Sequence, residues 1–218
     1  MHPTPRPHDL LWGLLPEHLS QEAPAWARAA LGGHVPVVVR RAPADSGWVA
    51  VGIRGSAREQ RHATWMRVNE ISRLVSPQAV ARAGRWRSHA QPHWPALRAL
   101  SQLAPRLDAL GLAWGVTGSL GFELASGIRA AHPDSDLDLS LRAPDQLSRA
   151  EARTLCVLLD AAPGRIDLQL ETPHGAVARD ARCPVLQDFS PMTSNTEDNV
   201  ALDEAQIAQL VDRFYAKV

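Results

Sequence analysis

Two short stretches constrain this chain more than anything else in it: Asp136-Leu137-Asp138-Leu139, running on to Leu141, and Ile166-Asp167-Leu168, running on to Leu170. Both alternate polar with aliphatic residues, the period of a β-strand, on which every second side chain shares a face. Asp136 and Asp138 are therefore expected on one side, with Leu137 and Leu139 turned to a core on the other. Asp167, framed by Ile166 and Leu168, projects in the same way from a second strand. Two carboxylates at i and i+2 repel one another unless a cation neutralises them, and hard oxygen ligands suit Mg²⁺ or the similar Mn²⁺. If the two strands are neighbours, three carboxylates converge, enough for the metal-assisted chemistry of phosphoryl and nucleotidyl transfer.

The segment ahead of the first strand supports that chemistry. Ala113 to Thr117 reads as a short strand, and Gly118-Ser119 turns the chain into a helix over 120–126 that ends at Gly127. Gly118 permits a tight turn, while Ser119 and the first helical amides can hold phosphate oxygens at a helix N-terminus. A Gly-Ser turn alone is weak evidence, and so is an Asp-x-Asp pair. In this order with a third Asp, they form the working part of a nucleotidyltransferase. Asp134, Asp136 and Asp138 have the opening spacing of a calcium loop, but Leu139 stands where that loop requires Gly. No G-x-x-x-x-G-K-[ST], H-E-x-x-H or G-x-S-x-G occurs. The nine histidines are scattered singly, with His8 and His62 the two of interest.

With 218 residues, 45% of them hydrophobic and 21% charged, the chain has the make-up of a soluble globular protein of one large or two small domains. Its net charge is zero but unevenly spread: residues 1–110 carry 14 basic and 7 acidic side chains, and residues 111–218 carry 9 and 16. The basic half offers counter-charge for a polyphosphate held by the acidic half. Cys156 and Cys183 make neither a metal motif nor a disulfide framework. No signal peptide and no membrane-length apolar run is found, so a cytoplasmic location is expected. Aromatic residues are only 5% and the carboxylate half is acidic, which disfavours nucleic acid as a partner.

The expected architecture is α+β: a basic N-terminal α/β domain over 1–90, then a nucleotidyltransferase-like catalytic domain over 91–218 with a mixed sheet flanked by helices. In the first part, the reading is a helix from Ser20, as N-cap, to Leu31, then strands at 35–40 and 48–53 forming an antiparallel pair. A loop from Gly55 then leads into a helix at 66–75, and another helix opens at Ser76-Pro77. In the second part, helices are expected over 95–110, over 148–160 with a Ser148/Glu151 capping box, and over 205–215. Arg54, Arg58 and Arg61, spaced four and three apart, would share one helical face and bind donor phosphates through planar guanidinium forks. Trp12, Trp65 and Trp114 are read as core residues rather than base-stacking platforms.

Several ordered motifs point further. Arg6-Pro7-His8-Asp9-Leu10-Leu11-Trp12, Pro36-Val37-Val38-Val39-Arg40-Arg41, Gly52-Ile53-Arg54-Gly55-x-x-Arg58-x-x-Arg61 and Glu171-Thr172-Pro173-x-Gly175 run in sequence over nearly the whole length. Together with the carboxylate motif, they resemble the phosphoribosyl-dephospho-CoA transferases, the holo-acyl-carrier-protein synthases of malonate decarboxylase. The resemblance implies a serine of the apo acyl-carrier subunit attacking the α-phosphate of 2′-(5″-triphosphoribosyl)-3′-dephospho-CoA, with pyrophosphate leaving. It also implies Asp136 and Asp138 as metal ligands, Asp167 as third ligand or base, and Gly118 and Ser119 on the triphosphate. The sixteen residues between Ser119 and Asp136 exceed the usual superfamily gap, so the stretch from Ile128 to Pro133 is expected to shape a specialised donor pocket. The competing readings are a nucleotidyltransferase acting on a small alcohol or a nucleic acid, and a non-catalytic binding module of the same fold.

Overall fold

The computed structural model describes residues 4–57, 59–142, 149–172, 175–179 and 189–191. Over these the chain is α+β, built on two five-stranded sheets. The first sheet contains β1 (Leu10–Trp12), β2 (Val37–Val39), β3 (Trp48–Arg54), β4 (Arg61–Arg67) and β5 (Arg73–Val75), with helix α1 (Ala25–Gly32) between β1 and β2. Its strand order is β4-β3-β2-β1-β5 and every pairing is antiparallel. Pro36 immediately precedes β2, where its missing N–H costs the ladder nothing.

The second sheet follows α2 (Pro77–Ala83) and α3 (Pro95–Ala109), and consists of β6 (Ala113–Val116), β7 (Leu137–Arg142), β8 (Ile166–Thr172), β9 (Gly175–Arg179) and β10 (Phe189–Pro191). Helix α4 (Gly118–Ser126) joins β6 to β7, and α5 (Arg149–Asp160) joins β7 to β8. The order is β10-β9-β8-β7-β6, and only β7 and β8 run parallel. Parallel neighbours need a long crossover, and α5 supplies it.

β1 holds the halves together. Successive strand residues point to opposite faces, and Leu10 and Leu11 go to different cores. Leu11 packs with Leu31, Val51, Ile53 and Met66 under α1, while Leu10 joins Leu97, Leu100, Leu139 and Leu168 in the core of the second half. Trp12, Val38 and Val75, on the Leu10 side by alternation and register, pack against that second core too. The first sheet thus lies between α1 and the second half.

Three expectations fail here. The 66–75 stretch is not a helix: it completes β4, makes a 3₁₀ turn at Val68–Glu70 and continues as β5. α1 begins at Ala25 with Pro24 as its N-cap, not at Ser20, because in a helix capped by Ser20 the residue at 24 would have to give its N–H to the Ser20 carbonyl, and proline has none. Trp65 is no core residue; it is 45% exposed on the edge strand β4, whereas Trp114 is buried and donates from Nε1 to Asp108 Oδ1 at 2.8 Å. The helix over 95–110, the antiparallel pair β2–β3 and the helix opened by Ser76, whose hydroxyl accepts from the Ala79 amide at 3.2 Å, agree with the sequence reading. The Ser148 cap and the helix over 205–215 lie outside the described residues.

Candidate active site

β7 and β8 put the carboxylates side by side. Their register pairs Leu137 with Ile166, Asp138 with Asp167, and Leu139 with Leu168. The aliphatic members are between 0% and 2% exposed, which forces Asp138 and Asp167 onto the opposite face. Asp136 precedes the first residue of β7, and its Oδ2 accepts a 2.6 Å ion-paired hydrogen bond from Arg165, the residue before β8. Among the described residues no three carboxylate, imidazole or thiol groups are already drawn together closely enough to hold a metal. Asp138 and Asp167 form the close pair, and Asp136 is turned toward Arg165.

The Gly-Ser turn sits against that pair. The Thr117 amide donates to the Asp138 carbonyl at 2.9 Å, and Gly118 opens α4 with φ near +62°, a left-handed conformation suited to glycine. A β-carbon at 118 would overlap the Asp138 carboxylate. Glycine is thus required twice, for the backbone and for the close approach. Ser119 donates to Ser135 Oγ at 3.3 Å, and Ser135 Oγ accepts from the His132 amide at 3.0 Å, tying the turn to the loop before Asp136. The leading amides of α4 lack partners within the helix and lie beside the carboxylates, an arrangement that receives phosphate oxygens.

Electrostatics mark Asp138 as the tensest group. Burial, then the Asp167 carboxylate, then Asp136 push its pKa up to about 7, with Arg54 opposing them. Carboxylates that repel one another in a partly desolvated site, with Arg54 and Arg165 offsetting only part of their charge, form a donor set suited to a hard divalent cation.

Arg54 comes from the other half. It ends β3 on the Val38 and Gly52 side of the first sheet, the side facing the carboxylates. Its guanidinium lies 5.7 Å from the Phe122 ring and donates to the Ala130 carbonyl at 3.3 Å. Burial and the Arg61 charge lower its pKa, and Asp138 raises it. Arg54 and Arg61 do not share a helical face. Arg54 stands directly opposite Arg61 on the β3–β4 hairpin, and the Arg61 guanidinium is folded back onto the Ala57 and Gln60 carbonyls. Arg58 lies outside the described residues.

Two organising residues carry no sequence signal. Glu123, on α4, accepts from the Ala130 and Ala131 amides at 2.8 Å each through Oε2, and pairs with His89 Nε2 at 3.0 Å through Oε1. Burial pushes its carboxyl pKa up, but these hydrogen bonds outweigh it and hold the pKa below the usual range. The long stretch from Ile128 to Pro133 is therefore clamped to α4 by Glu123 and capped by Arg54. Nothing in the spacing singles out a lone Glu within a helix, or a lone His in the polar turn before α3.

Comparison with known proteins agrees with this organisation. The phosphoribosyl-dephospho-CoA transferase MdcG N-terminal domain family matches residues 6–77, and the corresponding C-terminal domain family matches residues 81–180. A phosphoribosyl-dephospho-CoA transferase of Pseudomonas putida is 55% identical over 175 residues, covering 80% of this chain and 83% of the relative. One from Pseudomonas aeruginosa is 55% identical over 80% of this chain and 81% of its own length. One from Azotobacter vinelandii is 51% identical over 82% and 85%. No solved structure matches. No described helix is long and apolar enough to cross a membrane. Family models that match residues 6–77 and 81–180, with relatives more than half identical over about four fifths of the chain, place the chain in the phosphoribosyl-dephospho-CoA transferase family.

Proposed function

We propose that the chain transfers the phosphoribosyl-dephospho-CoA group from 2′-(5″-triphosphoribosyl)-3′-dephospho-CoA to a serine of the acyl-carrier subunit of malonate decarboxylase, releasing pyrophosphate, on a nucleotidyltransferase-like second half. The observation that carries this reading is the Asp138–Asp167 pair, in register on parallel strands and touching the Gly118 turn, in a chain of this family.

Asp138 and Asp167, joined by Asp136 once it leaves Arg165, would hold Mg²⁺ or Mn²⁺. When bound, such an ion neutralises charge on the triphosphate and acidifies a hydroxyl near it. The protein's own groups do the rest. The amides opening α4 and the Ser119 hydroxyl hold the triphosphate against the Gly118 turn. Arg54, anchored on Phe122 and Ala130, directs its guanidinium toward the phosphates from the other half. Asp167, as ligand or as base, would in the latter role take the proton of the carrier serine as its oxygen bonds to the α-phosphorus and the bond to pyrophosphate breaks. Arg165, freed from Asp136, can balance charge on the departing pyrophosphate.

The test is incubation with the triphosphoribosyl donor, Mg²⁺ and apo-carrier, reading the intact mass of the carrier. The expected result is a gain of one phosphoribosyl-dephospho-CoA unit, abolished by EDTA and reduced at least 10³-fold in Asp138→Ala, since both positioning and charge stabilisation are lost. No mass gain with wild type would remove the acceptor assignment. Undiminished transfer by Asp138→Ala would remove the site.

A further inference from the structure

The parallel register that pairs Asp138 with Asp167 continues along the same face: Ser140 pairs with Gln169, and Arg142 with Glu171. This polar face is covered. Gly115, paired with Ser140 on β6, has the Pro77–Gln78 turn of α2 packed directly against it. His8, with φ near +70°, lies beside Gln169 and Glu171 from the first half; its ring is near the Gln169 amide, but Gln169 Oε1 closes no hydrogen bond of good geometry. Asp9 and Arg41 stand close enough to act on the charges here, Asp9 through Arg142 and Glu171, Arg41 through His8.

Polar atoms buried without partners gather in this one seam. They are Asp9 Oδ1, Arg41 Nη2, both amide atoms of Gln78, Ser140 Oγ, Gln169 Oε1 and Glu171 Oε1; among the described residues only Trp86 Nε1 is in the same condition elsewhere. Ser140 is 0% and Asp9 3% exposed. Each such group costs free energy when it faces no partner, so their concentration between two halves is unlike an interface evolved only to stay shut. Glu171 is half satisfied by Arg142, at 3.0 Å, which leaves the seam close to neutral overall. It mixes acceptors with amide, hydroxyl and guanidinium donors. A neutral group rich in hydroxyls, each able both to donate and to accept, matches that set, whereas an anion would meet Asp9 and Glu171.

Position identifies which hydroxyls. Side chains along one strand face advance by about 6.6 Å per pair of residues. Ser140 and Gln169 are therefore one sugar's breadth from the carboxylates that receive the reacting phosphate. Taking the donor of the proposed function as given, we propose that this seam is the subsite for the ribosyl hydroxyls next to the reacting phosphate, with Ser140 and Gln169 on the nearer sugar and Glu171 beyond them. The hydroxyls of the sugar supply the partners the seam lacks. Carboxylate and amide recognition of ribose hydroxyls is a common device in nucleotide sites.

Calorimetry with the triphosphoribosyl donor, without carrier so that no turnover occurs, tests this. The donor and its analogues deoxygenated at the 2″ or 3″ position of the triphosphorylated ribose are compared on wild type, Ser140→Ala and Gln169→Ala. Wild type is expected to bind at least one deoxy analogue about tenfold more weakly than the donor. In at least one of the two variants that ratio is expected to fall below threefold, because the partner of the missing hydroxyl is already gone. Equal binding of all three ligands by wild type, or a tenfold ratio persisting in both variants, overturns the subsite while leaving the transferase reading intact. Failure of wild type to bind the donor overturns both.

Discussion

At the scale of single residues, Asp138 shows how function and stability oppose each other. With its pKa raised to about 7, the folded chain keeps a proton there that the unfolded chain sheds near pH 4. Its contribution to stability is therefore fully present below about pH 4, declines between pH 4 and 7, and is absent above. Replacing it with Asn, which needs no charge, removes that decline. Asp138→Asn is expected to melt about 4–8 °C above wild type at pH 8 in metal-free buffer, corresponding to about 2 kcal/mol, with little difference at pH 4. Thermal melts followed by circular dichroism at the two pH values check this, and a variant less stable than wild type at pH 8 would contradict it. A gain in stability on deleting a site residue is what a site holding unneutralised charge produces.

At the scale of elements, β7, β8, α3 and the Gly118 turn were legible because each has one face in a deep core. That burial writes an unbroken period into the sequence: two for Leu137, Leu139 and Leu141, and near 3.6 for Leu97, Leu100, Leu103 and Leu107. β4 was not legible. It is an edge strand with only Met66 fully buried, so its alternation is faint, and Val68, Ile71 and Leu74 beyond it mimic helical spacing while forming a 3₁₀ turn and a strand. Arg54 and Arg61 were misassigned to a helical face for the same reason: a hairpin brings Arg54 opposite Arg61 without any local periodicity. The adjacency of Asp138 and Asp167 was readable from their strands, but the turn of Asp136 to Arg165 and the support from Glu123 and His89 were not, because those act through an ion pair, backbone amides and a long-range pair. Glu123→Ala deletes the acceptor shared by two loop amides and the His89 contact at once. It is expected to cost about 2–3 kcal/mol in urea unfolding and to raise the KM for the donor more than it lowers kcat, as the 128–133 loop and Arg54 lose their seat. Glu123→Gln, which keeps an acceptor for the loop amides, is expected to recover at least half of both effects. Equal losses in the two variants would show that the loop does not depend on this acceptor.

At the scale of the whole molecule, two sheets with separate hydrophobic clusters could unfold separately, yet β1 gives one leucine to each. Leu10→Ala leaves a cavity in the core of the second half although it lies in the first. It is expected to shift the entire unfolding curve by about 2–4 kcal/mol without dividing it. Tryptophan fluorescence and far-ultraviolet circular dichroism should report one coincident midpoint, since Trp12, Trp26, Trp48 and Trp65 sit in one half and Trp86, Trp94 and Trp114 in the other. Separate midpoints for the two probes would show that β1 does not couple the halves. That coupling also bears on the chemistry: Arg54 reaches the carboxylates only while the first sheet stays seated on the second half.

The crossover from β7 through α5 to β8 also imposes an order in time. A ribosome delivers Asp136 and Asp138 about thirty residues before Asp167, an interval of roughly two to six seconds at ordinary rates of synthesis. Until β8 slides in beside β7, the growing chain offers one half of the proposed cation site next to the Gly118 turn. The strand that reaches β7 only after this crossover thus completes the carboxylate pair, and a nascent chain arrested before Ile166 lacks half of the proposed site.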